Sequence, residues 1–169
     1  YWAVMMLVPA PGGVAGDLSP EGNLGAWLDR TLMNGHLWRP RWDPEGLLST
    51  IPAIATTLLG ILAGLLLRTD RPSAQKASLL ALGGVAGILI GYAWHVVFPI
   101  NKNLWTSSYA VFTAGAAALS LAACFWIIDV KGWKRGTRPL VILGVNAITL
   151  FVASGLLVKT LNLIRVAGP

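Results

Sequence analysis

Apolar residues in this chain come in long unbroken runs. Leu47 to Leu67, Leu79 to Ile100, Tyr109 to Ile128 and Leu140 to Val158 contain no Asp, Glu, Lys or Arg. Each run is about 20 residues, the length that carries a helix across a hydrocarbon core of about 30 Å. In lipid only a helix or a closed barrel satisfies the backbone, and no period-2 alternation marks strands. The pattern therefore predicts an all-α, polytopic transmembrane helix bundle, with four full spans at about 47–67, 79–100, 107–128 and 139–158. A fifth apolar run, Tyr1 to Pro11, is too short to cross alone and reads as the second half of a partial span. Residues 1–169 then form one transmembrane region, a fragment of a larger membrane domain. The N-terminal helices of the same protein are among its expected partners.

The loop at 12–46 carries its own pattern. Ser19-Pro20-Glu21 reads as an N-cap, a first helical position and an acid favoured by the helix dipole. Leu24, Trp27, Leu28 and Leu32 follow at helical spacing, with Asp29 and Arg30 between them, predicting a short interfacial helix on the membrane or against the bundle. Asp43-Pro44-Glu45 repeats the start signal just before the first full span. Gly60 with Gly64, and Gly83 with Gly87 and Gly91, are spaced for close backbone approach between helices.

Composition agrees: 55% of residues are hydrophobic and 12% charged, with mean hydropathy +0.65. The net charge of +6 changes the picture only through its placement. Seven of the 13 Lys and Arg fall in two short loops (Arg68, Arg71 and Lys76, then Lys131, Lys134, Arg135 and Arg138) that share a side because two spans separate them. The positive-inside rule makes loops 68–78 and 129–138 cytoplasmic, with the lipid bilayer and not nucleic acid as partner. Most of the eight Trp lie at run ends or in the outer loop, as interfacial rings do. The single Cys124 excludes an intrachain disulfide.

The segments at the span mouths are the most specific. They are, in order, Asp43-Pro44-Glu45-Gly46-Leu47-Leu48, Phe98-Pro99-Ile100-Asn101-Lys102-Asn103-Leu104-Trp105, Ile128-Asp129-Val130-Lys131-Gly132 and Gly144-Val145-Asn146-Ala147. Together with Trp27-Leu28-Asp29-Arg30 and His36-Leu37-Trp38, this ordered set resembles the C-terminal transmembrane part of the heparan-α-glucosaminide N-acetyltransferase family and its bacterial relatives. The likeness runs from about Trp27 to about Phe151. It implies an integral-membrane enzyme that takes acetyl-CoA as co-substrate from the cytosol and acetylates the amine of a terminal glucosamine or related amino sugar on the far side. It further implies a bacterial inner-membrane location, an amino-sugar or glycan acceptor as partner, and a possible homo-oligomer. The family's catalytic histidine lies upstream of the matched region. Where the lysosomal member carries a His-Glu pair in the last matched span, this sequence has Ser154 and Gly155.

Acetyl transfer to an amine requires a base, donors for the developing oxyanion and positioning of both substrates. His36, in the polar outer loop, is the candidate base, against a loop-bracing imidazole; His95 reads as structural. Asn101, Lys102 and Asn103 offer donors, acceptors and a positive charge for a substrate carbonyl, phosphate or hydroxyl, against helix capping and a snorkelling lysine. Trp105, with Trp38 and Trp42, offers a ring face to a sugar, against interface anchoring. Asp43 and Glu45 suit a protonated amine, against helix-start chemistry. Asn146 lines a pantetheine path or bonds a neighbouring helix. Arg68, Arg71, Lys131 and Arg135 suit phosphates or lipid headgroups. No metal-ligand spacing is present. A transporter-like module is the rival from another class; it requires broken helices and mid-membrane charge, and these spans contain no such charge.

Overall fold

The computed structural model describes residues 1–163, and among them every regular element is helical. In chain order these are α1 (Trp2–Leu7), α2 (Leu24–Leu32), α3 (Thr50–Leu67), α4 (Ser73–His95), α5 (Ser107–Phe125) ending in a π-helical turn (Trp126–Val130), α6 (Thr137–Val145) and α7 (Ala147–Leu163). Three helices are long and apolar enough to cross a membrane: α3, α4, and α5 with its π turn. A fourth crossing exists if α6 and α7 are taken as one broken span. The polytopic helical class is thus the observed one. The chain divides into two compact units, residues 1–130 and residues from Lys131 onward.

In the first unit, α4 and α5 form the tight pair. A Cβ built on Gly84, Gly87, Gly91 or Gly115 would sit 2.6–2.8 Å from the partner helix. Backbone meets backbone there, which is how helices associate where burial gives no hydrophobic gain. The packed register is Gly84, Gly87 and Gly91; Gly83, expected from its four-residue spacing, faces open space, as do Gly60 and Gly64. Gly87 and Gly91 thus pack as their spacing suggests, while the approach of Gly115 engages Gly84 in place of Gly83. Helix α3 rests more loosely and buries only Pro52. At its far end Lys76 Nζ donates to the Leu67 carbonyl at 2.9 Å, so this lysine caps α3.

The other end, here the mouth, gathers α1, α2 and the 96–106 turn. Trp2 meets Trp94 edge-on at 5.9 Å, Tyr1 lies 6.1 Å from Phe98, and Met5 and Phe98 are buried. Two expected helix starts are corrected. Ser19 Oγ accepts from Gly22 N and closes a turn, while the cap of α2 is Asn23, whose Oδ1 accepts from Ala26 N at 2.9 Å. The Asn23 amide also donates to the Ser19 carbonyl, so the turn is its platform. Asp43 likewise closes a turn, accepting from Glu45 N and Trp38 N, and α3 begins only at Thr50. Short polar side chains satisfy turn and helix-start N–H groups by the same geometry, and only contacts distinguish them.

In the second unit, the stretch read from sequence as the span 139–158 consists of two helices. Helices α6 and α7 meet at Asn146 with an 80° bend. The Asn146 backbone leaves helical geometry (φ −104°, ψ 26°), and its Nδ2 donates to the Ile142 carbonyl at 2.8 Å. The amide is therefore used within its own chain segment and not across to a neighbouring helix, a competition with the backbone that Asn is chemically suited to win.

Candidate acceptor cleft

The 96–106 turn is built around Thr106, whose hydroxyl is fully buried. Its Oγ1 donates to the Pro99 carbonyl at 2.9 Å and accepts from Asn101 N at 3.0 Å and Tyr109 N at 3.4 Å, the last being the cap of α5. Asn101 Oδ1 accepts from Asn103 N at 2.9 Å and Leu104 N at 3.3 Å, folding 101–104 into a tight loop. His95 Nδ1 accepts from Ile100 N at 2.9 Å and its ring stacks on Tyr92, so this imidazole braces the turn.

The loop ends on Trp105, which has φ +48° and is the sole non-glycine with positive φ among the described residues. A bulky side chain in that region is strained, so its surroundings must hold it. Three contacts do so. Trp105 N donates to the Lys102 carbonyl at 3.2 Å, the indole Nε1 donates to Thr56 Oγ1 of α3 at 3.1 Å, and the ring meets Tyr109 edge-on at 5.3 Å.

These constraints open a cleft of about 310 Å³ at the mouth, lined by Trp38, Pro44, Glu45, Lys102, Asn103 and Trp105. Two aromatic rings, one carboxylate, one ammonium and one carboxamide thus converge. Trp38 is 78% exposed, a ring held in solvent at the rim. Trp105 also closes the upper end of a second hollow of about 560 Å³ between α3 and α5. Small residues line that hollow, among them Gly60, Ala63, Gly64, Ala114 and Ala118, down to Leu67 and Leu121 near the opposite end.

Of the residues singled out from sequence, Lys102, Asn103 and Trp105 meet in the cleft, joined by Trp38 and Glu45. Asn101 shapes the loop from behind. Asp43 lies beside the cleft and fixes the Trp38 backbone at 2.9 Å. His36 sits in the exposed turn after α2 and is not among the cleft residues. Asn146 belongs to the second unit.

Two residues missed from sequence matter here. Thr56, on an apolar helix, anchors the indole. Asp29, read from sequence only as a charge between the apolar positions of α2, is 2% exposed, and its Oδ1 accepts from Leu47 N at 2.9 Å, tying α2 to the segment that leads into α3. Burial raises its pKa above the usual carboxylate value; the Leu47 hydrogen bond opposes this, the Asp43 charge adds to it, and Arg30 opposes it. A hydrophilic residue on a nominally wet face gives no composition signal of burial. Among the described residues no group of three or more His, Cys, Asp or Glu is placed to hold a metal ion.

No family model matches the sequence. The chain is 31% identical over 183 aligned positions to the mouse (Mus musculus) heparan-alpha-glucosaminide N-acetyltransferase, and 29% identical to the human (Homo sapiens) one over the same length. Each alignment takes in 90% of this chain and 28% of the relative. Across nearly all its length, then, this membrane-spanning chain is similar in sequence to the heparan-alpha-glucosaminide N-acetyltransferases, of which it spans 28%.

Proposed function

We propose that this chain is the acceptor-presenting part of an integral-membrane N-acetyltransferase that moves acetyl from acetyl-CoA to the amine of a terminal glucosamine or related amino sugar. The cleft carries the reading. Aromatic faces (Trp38, Trp105) suit the apolar face of a pyranose, Glu45 suits an ammonium, and Lys102 with Asn103 suits hydroxyl and carbonyl oxygens. The similarity to enzymes named for this reaction supports it independently. The α3–α5 hollow, which shares Trp105 with the cleft, is lined mainly by small and apolar side chains that would suit a pantetheine arm reaching the mouth from the far side. In this reading the mouth is extracytoplasmic, loops 68–78 and 129–138 are cytoplasmic, and a bacterial inner membrane is the setting.

The catalytic base is expected from the part of the protein upstream of this chain, with His36 the weaker alternative within it. Oligomerisation with a second copy belongs to the same proposal. The transporter reading draws on one observation, the 80° break at Asn146, because discontinuous helices build transporter sites. The deciding experiment incubates full-length protein in proteoliposomes with labelled acetyl-CoA and glucosamine. Acetylated sugar supports the enzyme; sugar uptake without acetylation supports the transporter.

A further inference from the structure

Among the described residues, Trp105 alone lines both the mouth cleft and the α3–α5 hollow. Every other described residue with positive φ is a glycine, so the +48° of Trp105 puts a bulky side chain where glycine is the ordinary occupant. Such a conformation persists only where the surroundings hold it, and it points to a task for the side chain that it aims.

What the ring faces defines that task. On the hollow side, Thr56 and Thr113 spend their hydroxyl protons on carbonyls of their own helices, Pro52 at 3.1 Å and Tyr109 at 2.7 Å. The Thr56 oxygen is thereby left as an acceptor, and it takes the indole N–H at 3.1 Å. Apart from Tyr109, the remaining lining of the hollow is Gly, Ala and Leu. On the cleft side stand Glu45 and Lys102, both exposed. The ring thus forms the wall between a wet, charged recess and an apolar one. A thioester brought along the hollow meets the mouth at this ring, where water competes with the amine for the acetyl group. Excluding water is how a site keeps a reactive acyl group for its intended acceptor.

We infer that Trp105 is the specificity-determining residue that reserves the acetyl group for an amine and withholds it from water. The inference rests on the proposed reading of the cleft as acceptor site and the hollow as the donor's path. One side-chain hydrogen bond holds the ring over a strained backbone, so an acceptor sugar stacking on its cleft face draws it aside. The neutral amine nitrogen then attacks the thioester carbonyl, the C–N bond forms, the C–S bond breaks, and the departing thiolate takes a nitrogen proton. Without the ring, water reaches the same carbonyl. Its oxygen forms the C–O bond, the C–S bond breaks, the thiolate takes one water proton, and acetic acid leaves and gives its own proton to solvent.

The test measures acetate released from labelled acetyl-CoA by purified full-length protein with no acceptor present. Trp105→Gly removes the ring and places at φ +48° the residue that tolerates it, so the backbone is not strained further. Acetate release should rise about tenfold over wild type. Thr56→Val keeps the ring but frees it, and should raise the rate about threefold. Neither lost folding nor weaker acceptor binding can produce such a gain. Acetate release from Trp105→Gly that is unchanged or slower overturns the inference. Should that variant not fold, Thr56→Val decides, and no rise there overturns it equally. Wild type that acetylates no amino sugar refutes the functional reading itself, an outcome visible without any variant, and the inference falls with it.

Discussion

The indole Nε1 of Trp105 donates to Thr56 Oγ1 at 3.1 Å, and this bond fastens the strained end of the 96–106 turn to α3. It links the cleft to the α3–α5 hollow, because the ring that it orients forms a wall of both. Thr56→Val keeps the shape and removes the hydroxyl, which also donates to the Pro52 carbonyl of its own helix at 3.1 Å. Thr56→Val should lower stability by about 1 kcal/mol, the usual net worth of such a bond, and should raise the acceptor KM more than the acetyl-CoA KM. Thermal unfolding in detergent and steady-state kinetics check both; equal rises in the two KM values would remove Trp105 from the acceptor site.

Asp29 makes a stability prediction whose sign is opposite to that of most buried partners. Its folded pKa is raised, so protonation is favoured on folding, and that contribution is present at low pH and fades as pH rises through the folded value. At neutral pH the ionised group is a burden. Asp29→Asn should therefore unfold at a higher temperature than wild type at pH 7, and the gain should vanish as pH falls below the ordinary carboxylate range. A variant less stable than wild type at pH 7 would contradict this assignment.

Neighbouring glycines on α4 give a sharp contrast. A Cβ on Gly84 would lie 2.7 Å from Leu119 N and 2.9 Å from the Gly115 carbonyl, whereas one on Gly83 meets nothing within 4 Å. Gly84→Ala should destabilise by roughly 1–3 kcal/mol through overpacking, and Gly83→Ala should be neutral or slightly stabilising. Unfolding midpoints of the two variants decide the register; similar values for both would refute the α4–α5 packing.

The break at Asn146 can be measured as a length. A continuous helix would separate positions 138 and 160 by about 33 Å at 1.5 Å per residue. With the 80° bend the same geometry gives roughly 26 Å. Asn146→Leu removes the bond to the Ile142 carbonyl, so spin labels at those positions should move apart by several ångström. No change in distance would show that the side chain is not what holds the bend.

What could be read in advance divides along physical lines. The polytopic helical class was legible because lipid is a single solvent that excludes charge from about 20 consecutive positions, although α4 runs Ser73–His95 where the apolar run pointed to 79–100. The helix starts were not, because Ser19 and Asp43 close turns with the bonds that would otherwise cap helices. Gly83 and Gly84 differ only in which one Gly115 approaches, a tertiary fact with no local trace. At the candidate site, Lys102, Asn103 and Trp105 stood out by resemblance and position, yet their joining to Trp38 and Glu45 depends on the fold of the 36–46 loop. The burial of Asp29 had no local signal, because it comes from Gly46 and Leu47 lying across it.

The central claim is that the Trp38–Trp105 cleft receives the acceptor sugar, and Trp38→Ala tests it most directly. That ring is exposed at the rim, so its removal should spare the fold. In full-length protein the glucosamine KM should rise about tenfold, the loss of roughly 1.4 kcal/mol of ring contact, with the acetyl-CoA KM and the unfolding temperature unchanged. An unchanged glucosamine KM, or a rise confined to acetyl-CoA, would contradict the account.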